Sequence, residues 1–317
     1  MTDQTSPRIV LLIPCLNEEY AIGKVIHDFR QALPEAEIIV FDNHSTDRTR
    51  QAASEAGADG VYFENRRGKG FVVQTMFRNI DADIYLMVDG DDTYPAERVR
   101  ALLQPVLDDE ADMTIGSRIA GANSQFQRIN WLGNAFFLGL INTLFHARLT
   151  DILSGYRAMN RKLVKSLPLF ERGFGIEAEM TIKALERGFR LQEVPVDLRK
   201  RMEGSYSKIR IVRDGLRILV TIFTLFRDYK PLTFFGGLGL TFLICGSALS
   251  VWAVELFMET VNSSHLLLAL LGGMGVISGI LIGAVGLVLH TINRRFQEME
   301  HFTSLHSGID WPFKKTE

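Results

Sequence analysis

Cysteine is scarce: Cys15 and Cys245 are the two in 317 residues, far apart and in unlike surroundings. That argues against a disulfide framework and fits a reducing compartment. The seven histidines form no i, i+4 pair and no Cys/His cluster, so the sequence offers no transition-metal site. Charge of one sign is lacking too. With 35 Lys and Arg against 37 Asp and Glu, the formal net charge of -2 excludes a broad nucleic-acid surface. The opening MTDQTSPR has no apolar core of the kind a signal peptide needs, so the N-terminal part is expected to remain cytoplasmic.

The longest absence lies toward the C-terminus. Leu232 to Met258 holds a single acidic residue, Glu255, and His265 to Thr291 holds no acidic residue, lysine or arginine. At ~1.5 Å per residue either stretch can cross an apolar core ~30 Å thick, so two transmembrane helices are expected, at 232–258 and 265–291. A pair of helices buried in a soluble core is the rival, but such helices rarely stay apolar all round for so long. Arg227 and Lys230 precede the first span, Arg294 and Arg295 follow the second, and the connecting ETVNSSH has no lysine or arginine. Both termini are therefore expected on the cytoplasmic side, in a multi-pass protein of the cell (inner) membrane. Gly275, Gly279 and Gly283 recur every four residues as a smooth stripe, open either to packing within the hairpin or to association of copies of the chain. Upstream, Ile209 to Arg227 sets Arg210, Arg213 and Arg217 among Ile, Leu, Val and Phe, the pattern of an amphipathic helix at an anionic membrane surface or of an ordinary core helix. The tail, 292–317, is polar and short.

Hydrophobic residues make up 47% of the chain, enough to bury a sizeable core in one large domain or two smaller ones. From Arg8 to about Lys200, short β-rich runs alternate with helical stretches, as a mostly parallel α/β sheet requires. Strands are expected at Ile9 to Ile13, Glu37 to Phe41, Gly60 to Phe63, Ile84 to Val88 and Met113 to Ile115. Helices are expected at Glu19 to Leu33 and at Asp47 to Ala56, the second opening on Ser45 or Thr46 as N-cap.

The stretch IYLMVDGDDTYP, Ile84 to Pro95, organises this half: an apolar run ends abruptly in Asp89, Gly90, Asp91 and Asp92, where open α/β sheets keep their ligands. Asp89 and Asp91 could share a divalent ion, Mg²⁺ or Mn²⁺, through hard oxygen ligands, with Gly90 admitting close approach of the backbone and substrate phosphates completing the shell. A solvated acidic turn is the plainer reading, because D-x-D alone is of low specificity. IPCLNEE, Ile13 to Glu19, and VFDNHSTDRT, Val40 to Thr49, crowd polar groups onto two further strand ends, suited to a nucleobase edge and a ribose. NRRGKG, Asn65 to Gly70, offers glycines and Lys69 to phosphate. Asp42 to Asp47 reads equally as a helix cap and Asx turn.

In this order the motifs resemble the polyisoprenyl-phosphate hexosyltransferases, inverting glycosyltransferases of GT-A fold that include dolichol-phosphate mannose synthases and bactoprenol glucosyltransferases. ADMTIGSR, DILSGYRAMNR, FGIEAEM and EVPVDLRKRMEGSYSK continue the match, which covers about residues 8 to 220. The resemblance implies a GT-A domain over 1–208, a juxtamembrane helix over 209–231, the two spans and the tail. It implies that Pro14, Asn17, Glu18, Asp42 and Asn43 contact the nucleoside, that Asp89 and Asp91 hold metal and diphosphate, and that Gly90 and Lys69 bind substrate beside them. Arg118, Asp151, Arg157, Arg201, Ser207 and Lys208 would surround the reacting phosphates and sugar, with Asp151, Arg118 and Arg201 nearest the chemistry. Relatives often carry two aspartates where this chain has Asp42 and Asn43, and some have Gln or Asn near Thr93. One extra residue between Gly204 and Lys208 leaves Ser205 and Ser207 as alternative registers. Asp151 could take a residual proton, position the acceptor, or orient Arg157 by an ion pair; Glu177 and Glu179 could line the site or cap local structure.

The expected activity is transfer of one hexose from a nucleotide sugar, UDP-hexose before GDP-mannose, to polyisoprenyl phosphate at the cytoplasmic face. A lipid phosphate is largely anionic near neutral pH, its second pKa being ~6, so the nucleophile needs cations more than a strong base. A processive polysaccharide synthase is the enzymatic rival, disfavoured because Gln125 and Arg128 are followed by Ile129 rather than tryptophan and only two spans are present. A non-catalytic scaffold binding nucleotide sugar or lipid is the other; intact Asp89, Asp91, Arg118 and Arg201 speak against it.

Overall fold

The computed structural model describes residues 6–118, 128–202, 204–206, 208, 211–259 and 263–307. It divides into two compact units, the first reaching Ile222 and the second beginning at Phe223. In chain order the first unit runs β1 (Ile9–Cys15), α1 (Ile22–Ala32), β2 (Glu37–Asp42), α2 (Thr49–Glu55), β3 (Gly60–Phe63), α3 (Lys69–Asn79), β4 (Ile84–Met87), α4 (Val99–Leu107), β5 (Met113–Ser117), α5 (Arg128–Phe145), β6 (Arg157–Asn160), α6 (Arg161–Ser166), α7 (Ile176–Glu186) and β7 (Leu191–Pro195).

The seven strands form one sheet in the order β3-β2-β1-β4-β6-β5-β7. β1 pairs in parallel with β2 and β4, β2 with β3, and β5 with β7, whereas β6 runs antiparallel to both neighbours. β1 and β4 are continuous apolar runs, and Val10, Leu12, Ile13, Leu86 and Met87 are fully enclosed, as strands covered on both faces must be. α1 covers one face through Ile22, Val25, Ile26 and Phe29, an i, i+3, i+4, i+7 stripe whose burial contributes about 1.5–3 kcal/mol per side chain.

The five expected strands are present: β1, β2 and β5 run one or two residues further than expected, β3 has the expected bounds, and β4 stops at Met87, one residue short of Val88. β6 and β7 were not anticipated: RAMN is short and carries a charge, and LQEVP is a half-exposed edge strand ending in proline. The reversal of β6 has a direct consequence. Its N-terminal end lies beside the C-terminal ends of β4 and β5, Arg157 opposite both Met87 and Ile115, so the chain just before it, Asp151 to Tyr156, reaches the edge where β4 delivers its aspartates. α2 differs from expectation at its start. It begins at Thr49 after Arg48, without a side-chain cap from Ser45 or Thr46; Asp47 instead accepts the Thr49 N–H at 3.0 Å.

α8 (Ile211–Tyr229) bridges the two units in sequence, and α9 (Pro231–Glu259) and α10 (Ser263–Ser307) make up most of the second. Both contain stretches, Pro231–Glu259 and His265–Met299, long and apolar enough to cross a membrane. Leu240, Ile244, Leu266 and Ile280 are among their exposed apolar side chains. α10 continues to Ser307, into the segment read as a polar tail. The two helices pack on each other through small residues: a Cβ on Gly246 would stand 2.7 Å from Val276 N, and one on Gly279 2.6 Å from Gly239 O. Of the expected stripe, Gly275 and Gly279 are thus engaged within the hairpin, and Gly283 backs Gly239.

Candidate active site

A cleft of about 450 Å³ opens at the C-terminal ends of β1, β2 and β4, lined from four places in the sequence: 14–18, 43–46, 67–72 and 89–91, with Phe174, Arg201 and Lys208 closing it. Pro14, Asn17, Glu18, Asn43, Lys69, Asp89, Gly90, Asp91, Arg201 and Lys208 therefore meet there. The gathering follows from the topology, since three parallel strands end together and their loops share one edge.

Each carboxylate in the cleft has a cation. Lys69 Nζ lies 2.6 Å from Asp89 Oδ1 and 2.6 Å from Glu177 Oε1, and Arg201 Nη2 lies 2.5 Å from Asp91 Oδ2. Asp91 Oδ1 is further held by the Thr93 N–H at 3.1 Å and its hydroxyl at 2.6 Å, which is what this chain does with the residue that departs from the family pattern. Burial alone would lower the Lys69 ammonium, but Asp89 and Glu177 outweigh it and hold the group well above the ordinary lysine range. Glu18 is buried at the end of β1, where it accepts from the Ser205 hydroxyl at 2.5 Å and pairs with Lys208 at 2.5 Å. Its burial raises the carboxyl pKa, although Lys208 and Ser205 pull the other way. The described residues between 199 and 208 are thus strapped to the cleft, by the Arg199 N–H on Thr93 O, Arg201 on Asp91, and Lys208 on Asn17 O.

Asn43 is a scaffold for the lysine loop: its amide donates to Arg66 O at 2.7 Å and Glu64 O at 3.3 Å, and its Oδ1 accepts the Gly68 N–H at 2.7 Å. The glycines there are required. A Cβ on Gly68 or Gly70 would come within 2.1 Å of Arg172 O or 2.0 Å of Glu171 O. Asp89 rests against a third glycine, because a Cβ on Gly155 would stand 2.6 Å from Asp89 Oδ2.

Other expected residues lie elsewhere. Asp42 is fully buried, is not among the residues that line the cleft, and accepts the Ser45 N–H at 3.3 Å as a turn-forming residue does. Arg157 is fully buried under β6, donating to Ser154 O, Ile152 O, Glu177 O and the Thr181 hydroxyl, so it does not face the cleft. Burial pulls it down to about 10, against the opposing fields of Glu177 and Asp151. Asp151 does not pair with Arg157. Its two oxygens take Arg118 Nε at 2.5 Å and Nη2 at 2.8 Å, along with the Arg118 and Leu153 N–H groups, and Glu193 of β7 holds the Asp151 N–H. Ser207 lies outside the described residues; Ser205 is the serine bound to Glu18. Glu179 pairs with Lys183 at 2.7 Å and caps the Phe170 and Glu171 N–H groups, a local role, whereas Glu177 belongs to the cleft through Lys69. Of the two serine registers the sequence left open, Ser205 is the one described at the site; Arg67 and Phe174, inside quoted motifs, were not singled out.

The donor set suits a hard divalent ion. Among the described residues no three His, Cys, Asp or Glu side chains converge, so Asp89 and Asp91 would supply two oxygen ligands and leave the rest of the shell to phosphate and water, the habit of Mg²⁺ and Mn²⁺.

Residues 10–167 match the family profile described as Glycosyl transferase family 2. Glycosyltransferase AglJ of Haloferax volcanii is 31% identical over 306 residues, covering 93% of this chain and 99% of that one. The dolichyl-phosphate hexose transferase of the same organism is 32% identical over 202 residues, 63% of this chain and 87% of that one. Among solved structures, glucosyl-3-phosphoglycerate synthase from Mycobacterium tuberculosis, in complex with Mn²⁺, UDP-glucose and phosphoglyceric acid, superposes with a TM-score of 0.60, covering 70% of this chain and 80% of that one. At 24% identity that likeness is one of fold.

Proposed function

The chain belongs to glycosyl transferase family 2, and from that premise we propose that it moves one hexose from a UDP-linked donor to polyisoprenyl phosphate at the cytoplasmic face of a membrane, inverting the anomeric centre by direct displacement. The observation that carries the reading is the pairing of Asp89 and Asp91 with Lys69 and Arg201 in one cleft at the strand ends. Such a site can present cations to phosphates and carboxylates to a metal. The name of the dolichyl-phosphate hexose transferase supports a lipid-phosphate acceptor, and the Mn²⁺ and UDP-glucose of the structural neighbour support the donor and the ion. Two apolar helices favour a lipid acceptor over a soluble one.

In this mechanism Asn43 holds the 65–70 loop so that Lys69 faces the diphosphate, and Asn17 and Glu18 shape the nucleoside end of the cleft. A divalent ion on Asp89 and Asp91, when bound, would act as a Lewis acid for the departing nucleoside diphosphate. Arg201 and Lys208 exchange their carboxylate partners for the acceptor phosphate, holding its oxygen for attack on the anomeric carbon as the bond to the diphosphate breaks. A phosphate anion needs no strong base, and Asp151, its oxygens taken by Arg118, fixes that guanidinium rather than removing a proton. Outside the cleft, α8 exposes Val212, Leu216 and Val220 together with Arg213 and Arg217, a face suited to an anionic headgroup layer.

The test is to supply membranes containing the protein with undecaprenyl or dolichyl phosphate and a panel of labelled nucleotide sugars. A lipid carrying a single hexose, formed by the wild type and not by Asp91→Ala or in EDTA, is the expected product. A polymer, or full activity in EDTA, would displace the reading.

A further inference from the structure

Three separate elements converge on one ammonium. Lys69 opens α3, Asp89 follows β4, and Glu177 sits in the first turn of α7, each carboxylate 2.6 Å from Lys69 Nζ. Glu177 is 3% exposed, and apart from that ammonium its Oε1 has no hydrogen-bond partner. Asp89 is half-buried and open to the cleft. The two carboxylates are therefore unequal: Asp89 is open to a ligand, whereas Glu177 is almost enclosed and turns its buried Oε1 to Lys69.

We propose that Glu177 is a positioning residue, which keeps the Lys69 ammonium on the floor of the cleft when a divalent ion takes over Asp89. The inference rests on reading Asp89 and Asp91 as the metal carboxylates. An ion on Asp89 would withdraw one of the two counter-ions of Lys69, and a buried ammonium left without any is strongly unfavourable. Glu177 supplies the second, from a helix N-terminus where a carboxylate is itself favoured. Gly68 and Gly70 are pressed against the carbonyls of Arg172 and Glu171, which limits how far the backbone that carries Lys69 can shift. With Glu177 present, Asp89 can pass from ammonium to ion while Lys69 stays charged and in place beside it. Without Glu177, Lys69 and the ion compete for Asp89.

A double-mutant cycle tests this on the full chain in detergent, with Mn²⁺ alone as the probe and unbound Mn²⁺ followed by electron paramagnetic resonance. Glu177→Gln should weaken Mn²⁺ binding tenfold or more, whereas in a Lys69→Met background the same change should cost less than twofold. Equal losses in both backgrounds would mean that Glu177 acts only through its field on the ion, and no loss in either would mean that it does not act on the site; each overturns the proposal. Glu177→Asp keeps the charge one methylene short of Lys69 and should fall between wild type and Glu177→Gln; binding equal to wild type would again point to the field alone. Asp91→Asn separates the premise from the inference. If wild type binds Mn²⁺ and this variant does not, the metal reading stands whatever the cycle gives; if binding is indifferent to Asp91, both fall.

Discussion

Arg201 shows how one side chain can have two partners in prospect. Here it neutralises Asp91 at 2.5 Å, yet it lies on the strap that also carries Lys208, where an acceptor phosphate would need donors. If it grips the lipid phosphate, Arg201→Ala should cut kcat/KM for the lipid about a hundredfold, roughly 3 kcal/mol, and leave nucleotide-sugar binding nearly unchanged. A surface tether would lose only about 1 kcal/mol, hidden at high salt, so measuring the variant at two ionic strengths with membrane attachment confirmed separates the two. Asn43 makes the complementary point. As a letter in a motif it merely differs from the aspartate of many relatives, but its amide donates to two carbonyls, which an ionised aspartate could not do. The identity of a residue was legible; whether it faces ligand or backbone was not.

At the scale of elements, the turn between β3 and α3 depends on Glu64, which accepts from Arg66 Nε at 2.9 Å and from the Thr75 hydroxyl. The Arg66 hydrogen bonds above all hold Glu64 at about 2, below the ordinary 4.5. A depressed carboxyl contributes stability that is present above pH 4.5 and lost as pH falls toward 2, about 2 kcal/mol once the half-exposed Arg66 is discounted. Because Asp59, Asp112 and other lowered carboxyls titrate in the same range, chemical denaturation across that window should show a loss in Glu64→Gln that is smaller than in wild type by about this amount. In the hairpin, Gly246 faces Val276 N at 2.7 Å from its would-be Cβ, whereas Gly273 has nothing within 4 Å. Gly246→Ile should lower the unfolding temperature in detergent by several degrees, the cost of overpacking being about 1–3 kcal/mol or more against backbone, while Gly273→Ile should not. Equal behaviour of the two would contradict close packing of α9 on α10 at Gly246.

For the whole molecule the sharpest prediction is topological: α9 and α10 span the membrane with both termini cytoplasmic, so a cysteine placed at Ser263 in a Cys245→Ser background should react with an impermeant thiol reagent from outside sealed cells. Labelling only after permeabilisation would reverse the orientation. The sequence by itself determined the α/β half, since continuous apolar strands such as IVLLIPC and IYLM need cover on both faces; the apolar helices, by length; and the acidic tip, because a strand that ends in Asp89 and Asp91 must deliver them to one edge. The remainder came from packing in three dimensions. A four-residue strand with an arginine in it has no local reason to be β6; it pairs because β4 and β5 both offer it free backbone edges, and its reversal is what brings Gly155 against Asp89 and Asp151 to Arg118. Ion pairs between residues tens of positions apart, Lys69 with Asp89 and Glu177, Arg201 with Asp91, leave no periodicity in a sequence, because they are set by where loops end in space and not by how far apart they lie along the chain.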